Sequence, residues 1–249
     1  MTTIAELAPT LLGVAVLALV TLAVLTWTGA PERFGPLLAI VRGAAQLAVI
    51  SLILTGVIQN PLWVVAALLV MFAVATGTAT RRLGWSRRHL LLVTGAMAAG
   101  IVVALVVVFA TGSIAFTARY ALAIGGIVIG NSMSIATLAG RRFLQSVDEQ
   151  WDQVESWLSL GATPRESTRE LARRAVHLAL IPSTDQTKTT GLVTLPGAFV
   201  GAIFGGVSPL EAGRFQIVVL ASIMGAGAIT AAVVVAVLGP VRTRPVQPR

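Results

Sequence analysis

The sequence lacks cysteine and is poor in charged residues, and each absence narrows the class of protein. With no cysteine among 249 residues, disulfide bonds, thiolate metal ligands and cysteine nucleophiles are excluded. Asp, Glu, Lys and Arg make up only 11% of the chain, against roughly 25% in soluble domains. The chain has no G-x-x-x-x-G-K-[ST] phosphate loop, so it is not expected to hydrolyse ATP alone. No nucleophile–base pair is visible, which argues against an enzyme.

Apolar residues dominate what is present, at 56% of the chain. A soluble fold of this size could not bury that much apolar surface, whereas a polytopic membrane protein uses lipid as its solvent. We therefore predict an all-α, single integral membrane domain over residues 1–249. The N-terminus lacks a basic region, so the first apolar run is expected to be retained. Seven runs are predicted to span the bilayer: Thr10–Thr28, Phe34–Val57, Pro61–Thr80, Leu90–Thr111, Tyr120–Gly140, Thr189–Gly206 and Phe215–Leu238.

The basic residues predict the orientation of these spans. The net charge is +8, which in a membrane protein indicates Lys and Arg in cytoplasmic loops rather than nucleic-acid binding. With the N-terminus outside and the C-terminus inside, Arg119 and Arg214 lie outside, Arg42 lies within a span, and the remaining basic residues lie inside. The tail 239–249 is rich in Pro and Arg and is predicted to be disordered.

The one long polar stretch, residues 141–188, is predicted to be a cytoplasmic helical segment. Its first part continues the fifth span, with apolar residues spaced by three and four on one helical face: Leu144, Val147, Trp151, Val154 and Leu158. Gly161 and Ala162 then interrupt the helix. Thr163, Pro164 and Glu166 predict a new helix start with a capping box, and Pro182 is expected to end that helix.

Two interpretations of this segment remain open from the residues alone. An amphipathic helix pair could rest on the membrane surface, although acidic residues around 148–155 disfavour contact with anionic lipid. Alternatively, a short rigid helix could protrude from the bilayer and transmit motion from a partner protein. The spacing from Glu155 to Gly161 resembles the cytoplasmic coupling loop by which the permease of an ABC transporter docks on its ATPase.

From about Ile40 onward, the chain resembles the FetB (YbbM-like) family of ABC permeases, which is linked to iron export and metal resistance. The resemblance rests on Val41–Leu47, Gly126–Leu138, Val154–Ser167 and Gly191–Gln216. It implies a multi-pass protein of the bacterial inner membrane, a homodimer bound to two copies of a separate ATPase that carries ATP and Mg. No cofactor is expected on this chain itself. The residues implied in ATPase coupling are Glu155, Leu160, Gly161, Ala162, Thr163, Pro164 and Glu166.

The departures from the family pattern concern the cargo. Where the family has two Met residues after Leu-Pro-Gly, this chain has Ala198 and Phe199, and Ala202 replaces a Gln. These groups cannot ligate a metal. Asp185 stands where the family has Asn, in a predicted loop before the sixth span. The resemblance therefore transfers the architecture more firmly than the metal cargo, and any metal ligands remain unknown.

Few polar residues are available to line a path. The predicted spans contain no Asp, Glu, His or Lys, which disfavours a proton-coupled carrier and a tight metal site. The candidate path residues are Arg42, Gln46, Asn131, Ser132 and Met133. For Arg42 and Gln46 the alternatives are attraction of an anion, or snorkelling and interhelical bonding. For the patch at 131–133 they are a cavity lining or interhelical hydrogen bonds.

Small residues at helical spacing predict close packing between helices. They are Gly126, Gly130, Gly197, Gly201 and Gly205. The leading functional hypothesis is an ABC permease that exports a metal ion or another small solute. The alternatives are a passive channel or facilitator, and ABC export of an anionic nucleotide-sugar or lipid-like solute.

Overall fold

The computed structural model describes residues 4–245, and within them the regular structure is helical apart from one isolated bridge between Thr190 and Thr194. This confirms the predicted all-α, polytopic class. The helices are α1 (Ile4–Trp27), α2 (Gly35–Gln59), α3 (Pro61–Arg82), α4 (Arg87–Ala110), α5 (Ala118–Glu149), α6 (Trp151–Ser159), α7 (Pro164–Ser167), α8 (Arg169–Thr189), α9 (Gly197–Phe204) and α10 (Pro209–Leu238).

Six of these helices, α1 to α5 and α10, are long and apolar enough to cross a bilayer. Polar caps determine where several of them begin, because a side-chain oxygen accepts a bond from an otherwise unpaired N–H of the first turn. Asn60 caps α3, Ser86 caps α4, Thr117 caps α5 and Ser208 caps α10. The chain is therefore a multi-pass membrane protein.

The predicted seventh span, Thr189–Gly206, does not form one spanning helix. Within it only α9 is helical, and its eight residues cover about 12 Å at about 1.5 Å per residue. Gly191 has φ +90°, and Leu195 precedes Pro196, a position that disfavours helical backbone. The apolar run is thus broken between residues 190 and 196.

Proline 182 does not end the helix that follows the capping box, contrary to the expectation from sequence. Instead α8 continues through Pro182 to Thr189. Ala179 and Ser183 on either side of it are buried, so packing holds this stretch helical although one backbone hydrogen bond is lost.

Two compact units divide the chain, Met1–Gln59 and Asn60–Arg249. The first contains the helices α1 and α2, joined by a short turn in which Glu32 has φ 58°. The second contains all the other helices and the segment predicted to be cytoplasmic. Each unit is considered by itself below.

Contacts within the second unit show which way its helices run. Leu68 packs against Gly125 and Leu83 against Gly140, so α3 and α5 run in the same direction. Aromatic rings near the starts of α5 and α10, Tyr120 and Phe215, lie 5.6 Å apart, so α10 shares that direction. Helix α4 runs the opposite way.

These directions define two ends of the bundle. The basic end is where α3 and α5 pass Arg82 and Arg141, whose Nε donates to the Arg82 carbonyl at 2.9 Å, and where α10 finishes at Leu238. The far end is where α5 and α10 begin. Helix α8 lies between α5 and α10, and its packed face consists of Leu171, Ala175, Ala179 and Ser183.

Candidate functional site

The capped hairpin, residues 150–168, is the most sharply defined local structure at the basic end. Helix α5 ends at Glu149, Gln150 breaks the helical path, and α6 follows at once. The apolar periodicity that predicted a helical continuation of the fifth span is therefore correct, with a bend at Gln150. After α6, a turn over residues 160–163 leads into α7 and α8.

A glycine forms the tip of the capped hairpin. The Gly161 backbone has φ +89°, a region that residues with a side chain rarely occupy. The Gly161 N–H donates to the Leu158 carbonyl at 3.0 Å, and the Ala162 N–H donates to the Trp157 carbonyl at 3.0 Å. This pair of bonds is a Schellman motif, which satisfies the last carbonyls of α6. The chain reverses sharply here because Gly161 permits it.

The predicted capping box is present on the other side of the turn. The Glu166 N–H donates to Thr163 Oγ1 at 3.3 Å, and the Thr163 N–H donates to Glu166 Oε2 at 2.8 Å. The Thr163 hydroxyl also donates to Glu166 Oε2 at 2.6 Å. These hydrogen bonds to the ionised form lower the pKa of Glu166 below its ordinary value. Both arms of the turn are thus fixed by local bonds.

Buried side chains join the base of the capped hairpin to the bundle. Val154, which is 1% exposed, belongs to one buried cluster with Phe143, Val147 and Leu171. Val235 of α10 belongs to the same cluster. Apolar packing of this density transmits displacement with little slack. A movement of the hairpin therefore acts directly on α5 and α10.

Two polar contacts reinforce this connection to the end of α10. The buried Thr168 hydroxyl donates to the Gly239 carbonyl at 2.7 Å. Further along the chain, Arg244 Nε donates to Asp148 Oδ1 at 2.6 Å. Arg244 lies in the predicted disordered tail 239–249, of which residues 246–249 lie outside the described residues. Sequence reasoning missed Thr168, since nothing local indicates a bond across 71 positions.

The tip presents apolar side chains to solvent. Leu160 is 81% exposed and Trp157 is 51% exposed. Beside Trp157, a cavity of about 250 Å³ opens between α6 and the start of α8, with Glu166 and Glu170 in its wall. Exposed aromatic and aliphatic residues next to a groove are typical of a protein-binding surface. Glu155, Ala162 and Pro164 lie on the same hairpin.

The predicted polar patch of α5 contributes one unusual group. Asn131 Nδ2 donates to the Ile127 carbonyl at 2.9 Å, so its amide is partly satisfied within its own helix. Met133 packs against the apolar core. Ser132 is buried, and its Oγ has no hydrogen-bond partner among the described residues. Gln216 Oε1 of α10 is the other buried atom in that condition, and sequence reasoning did not single it out.

Arg42 and Gln46 lie in the first unit, one turn apart on α2. The span Gly35–Ile53 around them is apolar enough to cross a bilayer. The role predicted for them in a path therefore stays a prediction.

Comparison with known proteins identifies the family. The uncharacterised protein family UPF0014 matches residues 9–240. The chain belongs to the UPF0014 family. No solved structure matches the chain.

Several UPF0014 relatives cover much of the chain. The rice (Oryza sativa subsp. japonica) UPF0014 membrane protein STAR2 is 37% identical over 196 residues, 78% of this chain and 69% of the relative. The Bacillus subtilis (strain 168) membrane protein YjkA is 32% identical over 196 residues, 78% of each chain. The Escherichia coli (strain K12) protein named probable iron export permease protein FetB is 39% identical over 124 residues, 50% of this chain and 48% of the relative.

The glycines of this UPF0014 protein divide into two groups. A Cβ on Gly126 would meet Met71 Cε at 3.0 Å, whereas at Gly130, Gly197 and Gly201 nothing lies within 4 Å. At Gly205 the near atoms are carbonyl oxygens of its own helix. The closest helix contacts occur at glycines that the spacing argument missed: Gly100, Gly125, Gly140 and Gly227.

Metal ligands are sparse in this UPF0014 protein. Among the described residues, no group of three or more His, Cys, Asp or Glu side chains could hold a metal ion. The arrangement offers a docking surface at the basic end and isolated polar groups within the bundle.

Proposed function

We propose that the chain is the membrane-spanning permease subunit of an ABC transporter, which works as a homodimer and is driven by a separate ATPase subunit. In this proposal the basic end faces the cytoplasm, as the distribution of Arg and Lys favours. The ATPase docks on the capped hairpin. The cargo is a metal cation, moved outward.

The capped hairpin is the observation that carries the proposal. Its two arms are fixed by the Schellman motif at Gly161 and by the capping box of Thr163 and Glu166. It exposes Trp157 and Leu160 at its tip while burying Val154 at its base. A rigid element that is apolar at its tip and packed at its base is suited to receive force from a partner. A helix pair resting on lipid would need no such rigid turn.

The names of relatives support the transport class and suggest the cargo. The E. coli relative is named as a probable iron export permease protein, and its match covers half of this chain. That name concerns the relative. Its extension to a metal cation here is part of the proposal, as are the ATPase partner and the homodimer.

The first experiment measures binding of the partner ATPase. Trp157→Ala in the full chain, held in lipid nanodiscs, should weaken binding of the ATPase about 30-fold, because a central exposed Trp is typical of residues worth about 2 kcal/mol in interfaces. Leu210→Ala, a change at an exposed leucine near the far end, is the control and should leave binding unchanged. Equal affinity of Trp157→Ala and the unsubstituted protein would contradict docking at the hairpin.

The second experiment asks whether the tip transmits force. Gly161→Val places a side chain at φ +89°, and Gly84→Val does the same at φ +90° in the α3–α4 turn of the same end. Both substitutions strain the backbone by roughly 1–2 kcal/mol. Only Gly161→Val should separate ATP hydrolysis from cargo flux in the reconstituted complex. Normal coupling in Gly161→Val would count against the proposal.

A further inference from the structure

The chain between α5 and α10 must return from one end of the bundle to the other. Both helices run from the far end to the basic end, as their neighbouring first turns at Tyr120 and Phe215 show. A chain that leaves α5 at the basic end therefore has to travel back before α10 can begin. The six long apolar helices contain no element that does this.

Helix α8 makes that return journey alongside α10. The Thr168 hydroxyl contacts the Gly239 carbonyl at the start of α8. One turn before Pro182, Leu180 lies 3.4 Å from the position of a Cβ on Gly227. The Thr184 hydroxyl then contacts Met224 Sδ at 3.9 Å. The 16 steps from 168 to 184 match the 15 steps from 239 to 224, about 23 Å of helix at about 1.5 Å per residue.

This register places Thr184 near the middle of the membrane. Met224 is 10 residues from Arg214 and 15 residues from Gly239, roughly 15 and 22 Å along α10. The hydrocarbon core of a bilayer is about 30 Å thick. Helix α5 agrees, because Ile135 packs on Gly227 and lies between Arg119 and Arg141. Asp185, the next residue after Thr184, is therefore at membrane depth.

The exposed face of α8 at this depth is polar. Asp185 is 63% exposed, and its Oδ1 lies 3.9 Å from the Nζ of Lys188. Gln186 beside it is also exposed. The opposite face is buried against the bundle, with Ala179 and Ser183 in contact with it. The polar residues thus point away from the packed core.

Lipid is a poor environment for this face. A carboxylate at the bilayer centre costs at least about 2.5 kcal/mol relative to water. Lys188 lies closer to the far end, and its long side chain can extend toward the headgroups. The side chain of Asp185 is too short to do the same. Water, rather than lipid, is therefore the solvent that this carboxylate requires.

We propose that α8 carries the chain back across the membrane and that its exposed face, centred on Asp185, lines a water-filled path in which the carboxylate binds the cargo cation. The ammonium of Lys188 holds the carboxylate when the path is empty, and an arriving cation displaces it. One carboxylate with water as the remaining ligands binds a hard cation weakly, which suits passage rather than storage. The cargo role rests on the proposed function, whereas the position of α8 does not.

The same placement revises two expectations drawn from sequence. The cytoplasmic segment predicted over residues 141–188 becomes shorter, and the chain crosses the membrane seven times, with α8 and α9 together forming the sixth crossing. A titratable residue then lies in the membrane after all, since Asp185 is on a crossing helix and not in a loop.

The absence of cysteine makes the placement directly testable. Single cysteines at Asp185 and Val102 carry a nitroxide label in the full chain in liposomes. Val102 serves as the matched control, since it is two residues from Gly100, which packs on Ala226, and so lies at similar depth on an exposed apolar face. A label at Gln186→Cys repeats the measurement should Asp185→Cys fail to fold.

The two labels should differ in what collides with them. Both should show the lipid depth of the bilayer centre, but only the label on α8 should collide with a water-soluble nickel chelate. A label on α8 that reads as lying outside the bilayer would overturn the crossing. A label at depth that sees oxygen and no nickel chelate would overturn the water-filled path.

The cargo role is tested by flux of Fe²⁺ and Mn²⁺ in vesicles that contain the permease and its ATPase. Asp185→Asn should raise the KM for the cation roughly tenfold, on the scale of one lost charged contact, while basal ATPase activity stays unchanged. Lys188→Gln should lower that KM. An unchanged KM in both variants would overturn cation binding at Asp185. Failure of the proposed function would appear differently, as flux in the unsubstituted protein that does not depend on ATP.

Discussion

The bond from Thr168 to the end of α10 gives the sharpest prediction on how hairpin movement reaches the bundle. The Thr168 hydroxyl donates to the Gly239 carbonyl at 2.7 Å and is 1% exposed. Thr168→Val removes the donor and keeps the shape. The Gly239 carbonyl retains a bond from the Val241 N–H at 2.7 Å, so no buried acceptor is left unpaired. The expected loss is therefore about 1 kcal/mol of unfolding free energy, about fivefold in the unfolding equilibrium.

A second substitution at the same position separates bonding from packing. Thr168→Ser keeps the hydroxyl and loses one buried methyl group, which costs about 0.8 kcal/mol. The two variants should therefore unfold at similar detergent concentrations in mixed micelles. They should differ in the number of cations moved per ATP hydrolysed, which should fall in Thr168→Val and stay near normal in Thr168→Ser. Equal coupling in the two variants would refute the argument that this bond transmits the movement.

Two further predictions concern helix packing and pH. Gly100→Val should destabilise the bundle or block its assembly, because a Cβ there would collide with the Ala226 backbone, whereas Gly95→Val on the same helix meets nothing within 4 Å and should be tolerated; size-exclusion profiles and unfolding curves of the two variants make the comparison. The lowered pKa of Glu166 means that its bonds stabilise the turn above the pKa of the unfolded chain, and that this contribution is lost as pH falls through the folded value. Acid should therefore loosen the capped hairpin, measured as faster motion of a nitroxide at Leu160→Cys. The same acid step should have little effect in Glu166→Gln, and equal acid sensitivity of the two proteins would contradict the assignment.

Sequence alone predicted the six long apolar helices and failed on the element that completes the bundle. Length and hydropathy suffice where a helix faces lipid on one side, as for α4. Helix α8 escapes this criterion because its last two turns contain Asp185, Gln186 and Lys188. It is recognised only from its neighbours, since Thr184 reaches Met224. The apolar run that sequence favoured instead is interrupted before Pro196.

Local chemistry was predictable and partner identity was not. The capping box of Thr163 and Glu166 depends on four consecutive residues, and the structure contains it as expected. A close approach such as that of Gly100 to Ala226 depends on which helix lies opposite. Helical spacing shows which residues share a face, but it does not show what that face touches. For the same reason the bond between Thr168 and Gly239 had no signal in the sequence.

The proposal that a separate ATPase drives this permease is tested most directly by cation flux in reconstituted vesicles. The unsubstituted chain is compared with its ATPase present, absent, or present in a form that binds ATP but cannot hydrolyse it. We expect outward cation movement only with the hydrolysing partner. Equal flux in all three preparations would contradict the account and would identify the protein as a passive channel.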